Sequence, residues 1–359
     1  MKKVLIFSLA YYPRVGGAEV AIKAITDRLP DIEWHMITKR FSAGDVAQEK
    51  VGSVFVYRIA GPKILFPLVA ALKARRLHRL QKFDAAWAMM SYMILPLLLS
   101  RIGLPYALTL QEGDTEYHMF GRLRILPFLP LIRSGFNGAA VVQAISTYLG
   151  GWARKQGFAG PLEILPNGVD VSHFSGDRVV HEGTVLVTSS RLVRKNGIDT
   201  VIRALPLLPE AQFVVCGTGP DEKTLKQLAK ELGVDGRIHW RGHVDHSLLP
   251  RYLHHADIFV RPSRSEGMGN SFIEAMAAGL PVIATREGGL KDFITPDVAW
   301  PVEKDRPDQI ALQIKDILGN PPHTAKVIEA AKKLVSEKYD WDLLAAAMRE
   351  RVFSRLFDD

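Results

Sequence analysis

Short apolar runs alternate along the chain with stretches in which apolar positions recur every three or four residues. In the first half, Val4–Leu9, Glu33–Thr38, Val54–Ile59, Ala85–Met90 and Tyr106–Leu110 read as strands, and Ala18–Leu29 and Leu65–Gln81 as helices. In the second half, Thr184–Thr188, Gln212–Cys216, Ile258–Val260 and Pro281–Ala284 read as strands, separated by helices such as Gly197–Ala204 and Glu222–Leu232. This alternation predicts an α/β chain with parallel sheets covered on both faces, and ligands at the carboxyl ends of the strands. Pro166-Asn167-Gly168 is a turn signal that divides the chain into residues 1–170 and 171–339. A final helix, from about Asp340 to Leu356, lies beyond the second sheet.

At 359 residues the chain exceeds the size at which single cores stop growing, so two domains are expected. Its lone Cys216 excludes an internal disulfide framework and points to a reducing compartment. Cys216 follows Phe-Val-Val and reads as a buried strand residue rather than a nucleophile. The first residues mimic a signal peptide, but the apolar run is short and Tyr-Tyr-Pro-Arg follows it. The most membrane-like stretch, Ala85–Ser100, is too short to span a bilayer and contains Pro96. No transmembrane helix is expected. The net charge of +8 is uneven: residues 1–175 carry 21 Lys/Arg against 12 Asp/Glu, whereas the remainder carries 25 against 26. The first half therefore invites an anionic partner.

The densest chemistry lies in residues 261–285, which include Arg261-Pro262-Ser263-Arg264-Ser265-Glu266-Gly267-Met268-Gly269-Asn270-Ser271 and, three residues on, Glu274. Gly267 and Gly269 allow close backbone approach, and Asn270 and Ser271 are N-cap types whose helix offers first-turn N–H groups to an anion. Gly279 stops the helix before a buried strand. A phosphate cradle with a carboxylate on each side is what a nucleotide-sugar site needs.

This segment resembles the E-x7-E signature of retaining glycosyltransferases of the GT-B fold. The resemblance implies two Rossmann-like domains whose parallel sheets face a deep interdomain cleft. It gives donor-sugar hydroxyls to Glu266 and the nucleotide ribose to Glu274, with Met268 in the donor loop between them. Ser190-Arg191-Leu192-Val193-Arg194-Lys195-Asn196-Gly197 resembles the family segment whose Arg and Lys hold the diphosphate. Arg191 matches, whereas Asn196 stands at the usual Lys position, leaving the second cation to Lys195 or Arg194. Cys216-Gly217-Thr218-Gly219-Pro220 resembles the donor-domain Gly-x-Gly-Pro loop, and Glu222 at the place of a third glycine speaks against a dinucleotide fingerprint.

In the first half, Gly16-Gly17-Ala18-Glu19 resembles the segment facing the donor phosphates and acceptor. Gln111 falls near a family His, with Glu112, Asp114 and Glu116 close behind as acceptor-side candidates or a solvated acidic loop. Asp340-Trp341-Asp342 matches a D-x-D pattern but reads better as a helix cap and a first-turn acid. The histidines, including His243, His246, His254 and His255, lack metal spacing, so no cofactor or metal is expected.

Residues 61–82 contain Lys63, Lys73, Arg75, Arg76, Arg79 and Lys82 and no acid. On a helix, Arg75, Arg79 and Lys82 share a face, and Leu65, Val69 and Leu72 form an apolar stripe on another. A second acid-free run, Tyr117–Leu162, holds Arg122, Arg124 and Arg133. These runs read either as an anionic membrane surface or as core packing with solvated charges. The combined expectation is a cytoplasmic enzyme, peripheral on the inner face of the membrane. It would move a sugar from a UDP-, GDP- or ADP-sugar to a glycan or lipid-linked acceptor with retention, by front-face substitution. The competing readings are a sugar phosphorylase or epimerase and a non-catalytic sugar-nucleotide-binding protein. A nucleic-acid partner is not expected, because no recognised module accompanies the charge.

Overall fold

The computed structural model describes residues 1–113, 116–121 and 126–357. The chain divides into two compact units, Met1–Asn167 with Trp341–Asp359, and Gly168–Asp340. The first unit holds strands β1 (Lys2–Phe7), β2 (Ile32–Lys39), β3 (Gln48–Val51), β4 (Val54–Ile59), β5 (Ala85–Met89), β6 (Tyr106–Leu110), β7 (Val141–Ala144) and β8 (Leu162–Ile164). They form one sheet in the order β3-β4-β2-β1-β5-β6-β7-β8. Helices α1 (Gly17–Arg28), α2 (Phe66–Gln81), α3 (Ile94–Ser100), α4 (Leu129–Asn137) and α5 (Thr147–Lys155) connect the strands.

Within this sheet the pairings are parallel except one. β3 runs antiparallel to β4, with Val51 opposite Val54, because Gly52 at φ +58° closes a two-residue hairpin. The apolar alternation does not register β3, whose Gln48, Glu49 and Lys50 are exposed on the sheet edge. Charged residues at such an edge discourage strand addition.

The basic segment behaves differently from the helical-wheel expectation. Arg75 turns inward, and its guanidinium donates to the carbonyls of Ser100 (2.7 Å) and Leu99 (2.9 Å) at the end of α3. Lys82 is the left-handed C-cap of α2 and leaves the helical face. Leu65, Val69 and Leu72 are exposed, so their stripe is not core. α2 instead buries Phe66, Ala70, Ala71, Ala74 and Leu77. Arg122 and Arg124 lie outside the described residues.

The second unit holds β9 (Thr184–Ser189), β10 (Ala211–Cys216), β11 (Ile238–Gly242), β12 (Ile258–Arg261), β13 (Val282–Thr285) and β14 (Trp300–Val302), all paired in parallel in the order β11-β10-β9-β12-β13-β14. Its helices are α6 (Val171–Phe174), α7 (Ile198–Ala204), α8 (Glu222–Glu231), α9 (Leu249–His254), α10 (Asn270–Ala277), α11 (Pro307–Gly319) and α12 (Pro321–Lys338). From central β9 the chain runs to β10 on one side and later reaches β12 on the other. Loops that leave β9 and β12 therefore lie side by side at the strands' carboxyl ends, where parallel sheets of this kind bind ligands.

After α12 the chain returns to the first unit as α13 (Trp341–Met348), with tight turns continuing to Leu356. Trp341, Leu344, Met348, Val352 and Phe353 join the first unit's core beside Trp34 and Trp87. Phe353 meets both tryptophan rings edge-on at 5.1 Å. Asp342 pairs with Arg28, and Arg349 with Asp31. Thus the second acid of the D-x-D pattern serves a structural ion pair. Because Trp341 is buried, Trp341→Ala should cost the first unit about 3–5 kcal/mol, read as a lower denaturant midpoint with an unchanged midpoint for the second unit.

Candidate functional site

Four loops meet at the carboxyl end of the second sheet, and glycines set their spacing. A Cβ at Gly197 would lie 2.1 Å from the Pro262 carbonyl oxygen, and one at Gly288 would lie 2.1 Å from that of Glu266. One at Gly217 would lie 1.9 Å from the Ser190 oxygen, and one at Gly219 would lie 2.2 Å from that of Leu192. The Gly217–Gly219 loop thus owes its glycines to packing on the loop that carries Arg191. Backbone hydrogen bonds complete the seam: Arg264 N–H donates to Lys195 O at 2.6 Å, and Gly289 N–H to Glu266 O at 3.0 Å.

Arg191 is exposed at the start of its loop, and Lys195 is half-buried. Asn196, at the position where the family has Lys, is buried and donates its amide to the Arg191 carbonyl at 2.6 Å. Its side chain therefore stabilises the turn. Beneath this loop, Arg264 binds both carboxylate oxygens of Asp199, at 2.8 and 2.7 Å, and donates to Arg194 O at 2.5 Å. Nothing in the sequence pattern singles out Arg264, because its partners Asp305, Asp199 and Arg194 lie 41, 65 and 70 positions away.

The loop from β12 into α10 carries the carboxylates. Gly269 at φ +87° is the N-cap of α10, and no side chain caps the helix. The expected capping roles of Asn270 and Ser271 are therefore corrected: both are already helical, and Ser271 Oγ accepts from Arg261 Nη1 at 2.6 Å. A Cβ at Gly269 would lie 2.6 Å from the Phe272 ring and 3.1 Å from Arg261 Nη2. Glycine here makes room for Arg261, which the sequence reading overlooked. Glu266 contacts Arg261 Nη2, and the Gly267 N–H donates to its other oxygen at 3.1 Å. Met268 is buried.

Glu274, also buried, accepts from His246 Nε2 at 3.0 Å. His246 follows β11 and rests against Phe174 (5.3 Å, edge-on) and His173 (6.0 Å, stacked). The bond from Glu274 raises the imidazole pKa above its ordinary value, burial opposes it, and Glu274 and Asp170 add attraction. Burial pushes the Cys216 thiol up to about 12, an inert state. Among the described residues no three His, Cys, Asp or Glu side chains converge as a metal would require.

The first-unit candidates group at the carboxyl end of its own sheet. Gly16 caps α1, and its N–H donates to the Glu19 carboxylate at 2.8 Å, so an acid of the chain already satisfies one amide expected to face an anion. Gly17 is the first helical residue. Gln111 donates to Asn167 Oδ1 at 2.5 Å. Glu112 is not part of a solvated loop: it is buried, accepts from Ser91 N–H at 2.6 Å, and burial raises its pKa. Desolvation, then the nearby Glu112 and Glu19 carboxylates, push the Tyr92 phenol up. Asp114 lies outside the described residues.

The His246–Glu274 bond yields a pH prediction. A raised folded pKa means that this contact stabilises fully below the imidazole's unfolded value, about 6.5, and fades as pH rises through the higher folded value. The melting temperature of wild type relative to His246→Gln should fall between pH 6 and 8.5. A flat difference would show that the pair does not titrate.

Residues 174–334 match the glycosyl transferases group 1 family, and residues 15–173 match glycosyltransferase family 4. A GDP-mannose-dependent alpha-(1-6)-phosphatidylinositol monomannoside mannosyltransferase of Mycobacterium tuberculosis is 29% identical over 379 residues, covering 98% of each chain. In fold, the chain is similar to sucrose-phosphate synthase from Thermosynechococcus elongatus, with a TM-score of 0.86 at 18% identity over 99% of each chain. It is also similar to Anabaena HepE in complex with UDP and glucose, with a TM-score of 0.82 at 17% identity over 99% of this chain and 100% of that one. With two successive matches spanning both units and a relative aligned end to end, the chain belongs to the group 1 glycosyltransferases and has their GT-B fold.

Proposed function

We propose that the protein moves a hexose from a nucleoside diphosphate sugar to a hydroxyl of a lipid-linked acceptor, with retention and without a metal. The observation that carries this reading is the pair Glu266 and Glu274 on the loop and helix that follow β12, beside the exposed Arg191. Glu274 takes the ribose hydroxyls, Glu266 the sugar hydroxyls, and Arg191 with Lys195 the diphosphate. As the anomeric carbon–phosphate oxygen bond breaks, negative charge builds on the leaving oxygen, and preorganised cations stabilise it. That oxygen accepts the acceptor's proton while the new glycosidic bond forms on the same face. The name of the mycobacterial relative supports GDP-mannose as the first donor to try and a phosphoglycolipid as acceptor.

A membrane location is supported by the outer face of α2. Ile64 (85% exposed), Leu65, Leu68, Val69 and Leu72 (62% exposed) stand in water at its leading end. Arg76 and Arg79 follow on the same exposed face, and no acid occurs from residue 61 to 82. Helices buried on one side rarely carry such a patch on the other unless it has a partner. Apolar residues ahead of cations suit an anionic bilayer, with leucines below the headgroups and guanidinium groups among them. Among the described residues no helix is long and apolar enough to cross a membrane. The proposed location is peripheral, on the cytoplasmic leaflet.

Glu274→Ala and Arg191→Ala should each weaken GDP binding by about 1.5–3 kcal/mol, roughly 10- to 150-fold, when titrated by calorimetry. Glu266→Ala should bind GDP as wild type does and lose transfer from GDP-mannose to a lipid extract. Wild-type turnover in that variant would sink the assignment of the two carboxylates. Product stereochemistry by NMR tests retention, and transfer in excess EDTA tests metal independence.

Sedimentation with phosphatidylglycerol vesicles should show binding that weakens as salt rises, each arginine contributing about 1 kcal/mol. Leu68→Asp/Leu72→Asp and Arg76→Gln/Arg79→Gln should both reduce it, with GDP binding unchanged. Indifference of the wild-type protein to these vesicles at low salt would favour a soluble acceptor.

A further inference from the structure

Arg261 is a charge where the fold has little water to offer. It ends β12, and its side chain is 7% exposed. Four of its five N–H donors nevertheless have protein acceptors. Nε donates to Ser263 Oγ at 3.1 Å, Nη1 to Ser271 Oγ at 2.6 Å and to the Ser189 carbonyl at 3.3 Å, and Nη2 contacts Glu266. The plane lies over the Phe272 ring, 4.4 Å from its centroid. These contacts join the end of β9, the loop after β12 and the first turn of α10.

We propose that Arg261 is the positioning residue of the donor-sugar site, fixing the Glu266 carboxylate for the sugar hydroxyls. The proposal rests on the reading of Glu266 given above. With four of its five N–H donors committed to protein acceptors and Nη2 aimed at Glu266, the buried guanidinium acts through that carboxylate. An ionised carboxylate has about four acceptor sites. Arg261 takes one on one oxygen and the Gly267 N–H takes one on the other, which leaves a lone pair on each for sugar hydroxyls. A planar fork bound at several points fixes direction, which a lysine ammonium does not. Gly269 belongs to the same device, because any side chain there would press on both the guanidinium and the Phe272 ring it stacks on.

The test uses the whole chain with GDP and GDP-mannose, comparing Arg261→Met, Arg261→Lys, Glu266→Gln and the double variant Arg261→Met/Glu266→Gln. Methionine keeps volume and apolar contact with Phe272. Arg261→Met should bind GDP within about twofold of wild type, as expected for uncoupled sites. Its kcat with GDP-mannose should fall on the order of 100-fold, the cost of misplacing a reacting group. Arg261→Lys should bind GDP normally and recover only part of the turnover. Decisively, the double variant should be no slower than Glu266→Gln alone, because the arginine acts through that carboxylate. Multiplying defects, or GDP affinity and turnover falling together, would reduce Arg261 to a structural ion and overturn the proposal. Wild-type turnover in Arg261→Met would do the same. If Glu266→Gln itself transfers normally, the site reading fails instead. Should the methionine variant not fold, the lysine variant alone and combined with Glu266→Gln decides by the same comparison.

Discussion

The site depends on carbonyl-to-Cα packing between loops of the second sheet. Gly197 on Pro262, Gly217 on Ser190, Gly219 on Leu192 and Gly288 on Glu266 leave no room for a methyl group. Backbones held at that distance fix where their neighbours' side chains begin, so Arg191, Lys195 and Glu266 start from a rigid frame. Rigid presentation matters because electrostatic stabilisation loses its value when groups must reorganise as charge develops. The glycines therefore act chemically at one remove, whether or not a ligand touches them.

Paired charge, buried at Arg261 and half-buried at Arg264, reinforces the frame. Arg264 ties the Arg194–Asn196 turn to Asp199 and Asp305, and Arg261 ties β9 to α10. Burying a guanidinium is costly unless its donors are satisfied, and replacing such a pair by apolar groups is often neutral for stability. Stability alone gives little reason for both. Their common property is direction: each holds a loop that carries a candidate ligand-binding residue. Glu112 does similar work in the first unit, where its buried carboxylate receives Ser91 N–H beside Met90 at φ +72°. There the acid acts on the backbone at the end of β5, not on solvent.

The strands at Val54–Ile59 and Tyr106–Leu110 were legible to the residue, because short runs rich in β-branched, aromatic and other apolar residues stand out between turn signals. β3 was not, since Gln48-Glu49-Lys50 is polar and its pairing follows from the Gly52 turn. The Glu266 and Glu274 segment was legible because its parts are local in sequence. Arg261 stands inside that segment, but only the turn of the chain at Gly267–Gly269 brings Glu266 and Ser271 back onto its guanidinium, and no spacing rule marks that contact. His246 was read only for metal spacing, although its partner Glu274 lies 28 positions on. Side chains that act on other side chains leave no periodicity.

Helix α2 exposes a deeper limit of pattern reading. Phe66, Ala70, Ala74 and Leu77 face inward, while Leu65, Leu68, Val69 and Leu72 face water, so the helix is apolar on both sides at its leading end. Periodicity cannot rank two apolar faces, and small alanines inside make the outer leucines look like the better core. Packing resolves it: α2 lies on β2 and β4 and beside α3, where alanines allow close approach and larger residues would hold the elements apart. Arg75 shows the same selection among the charges, since it is drawn in to cap α3 while Arg76 and Arg79 stay out. The helix thus sorts one acid-free sequence into a structural cation, a set of alanines for packing, and an exposed outer face of leucines and arginines, for which an anionic bilayer is the proposed partner.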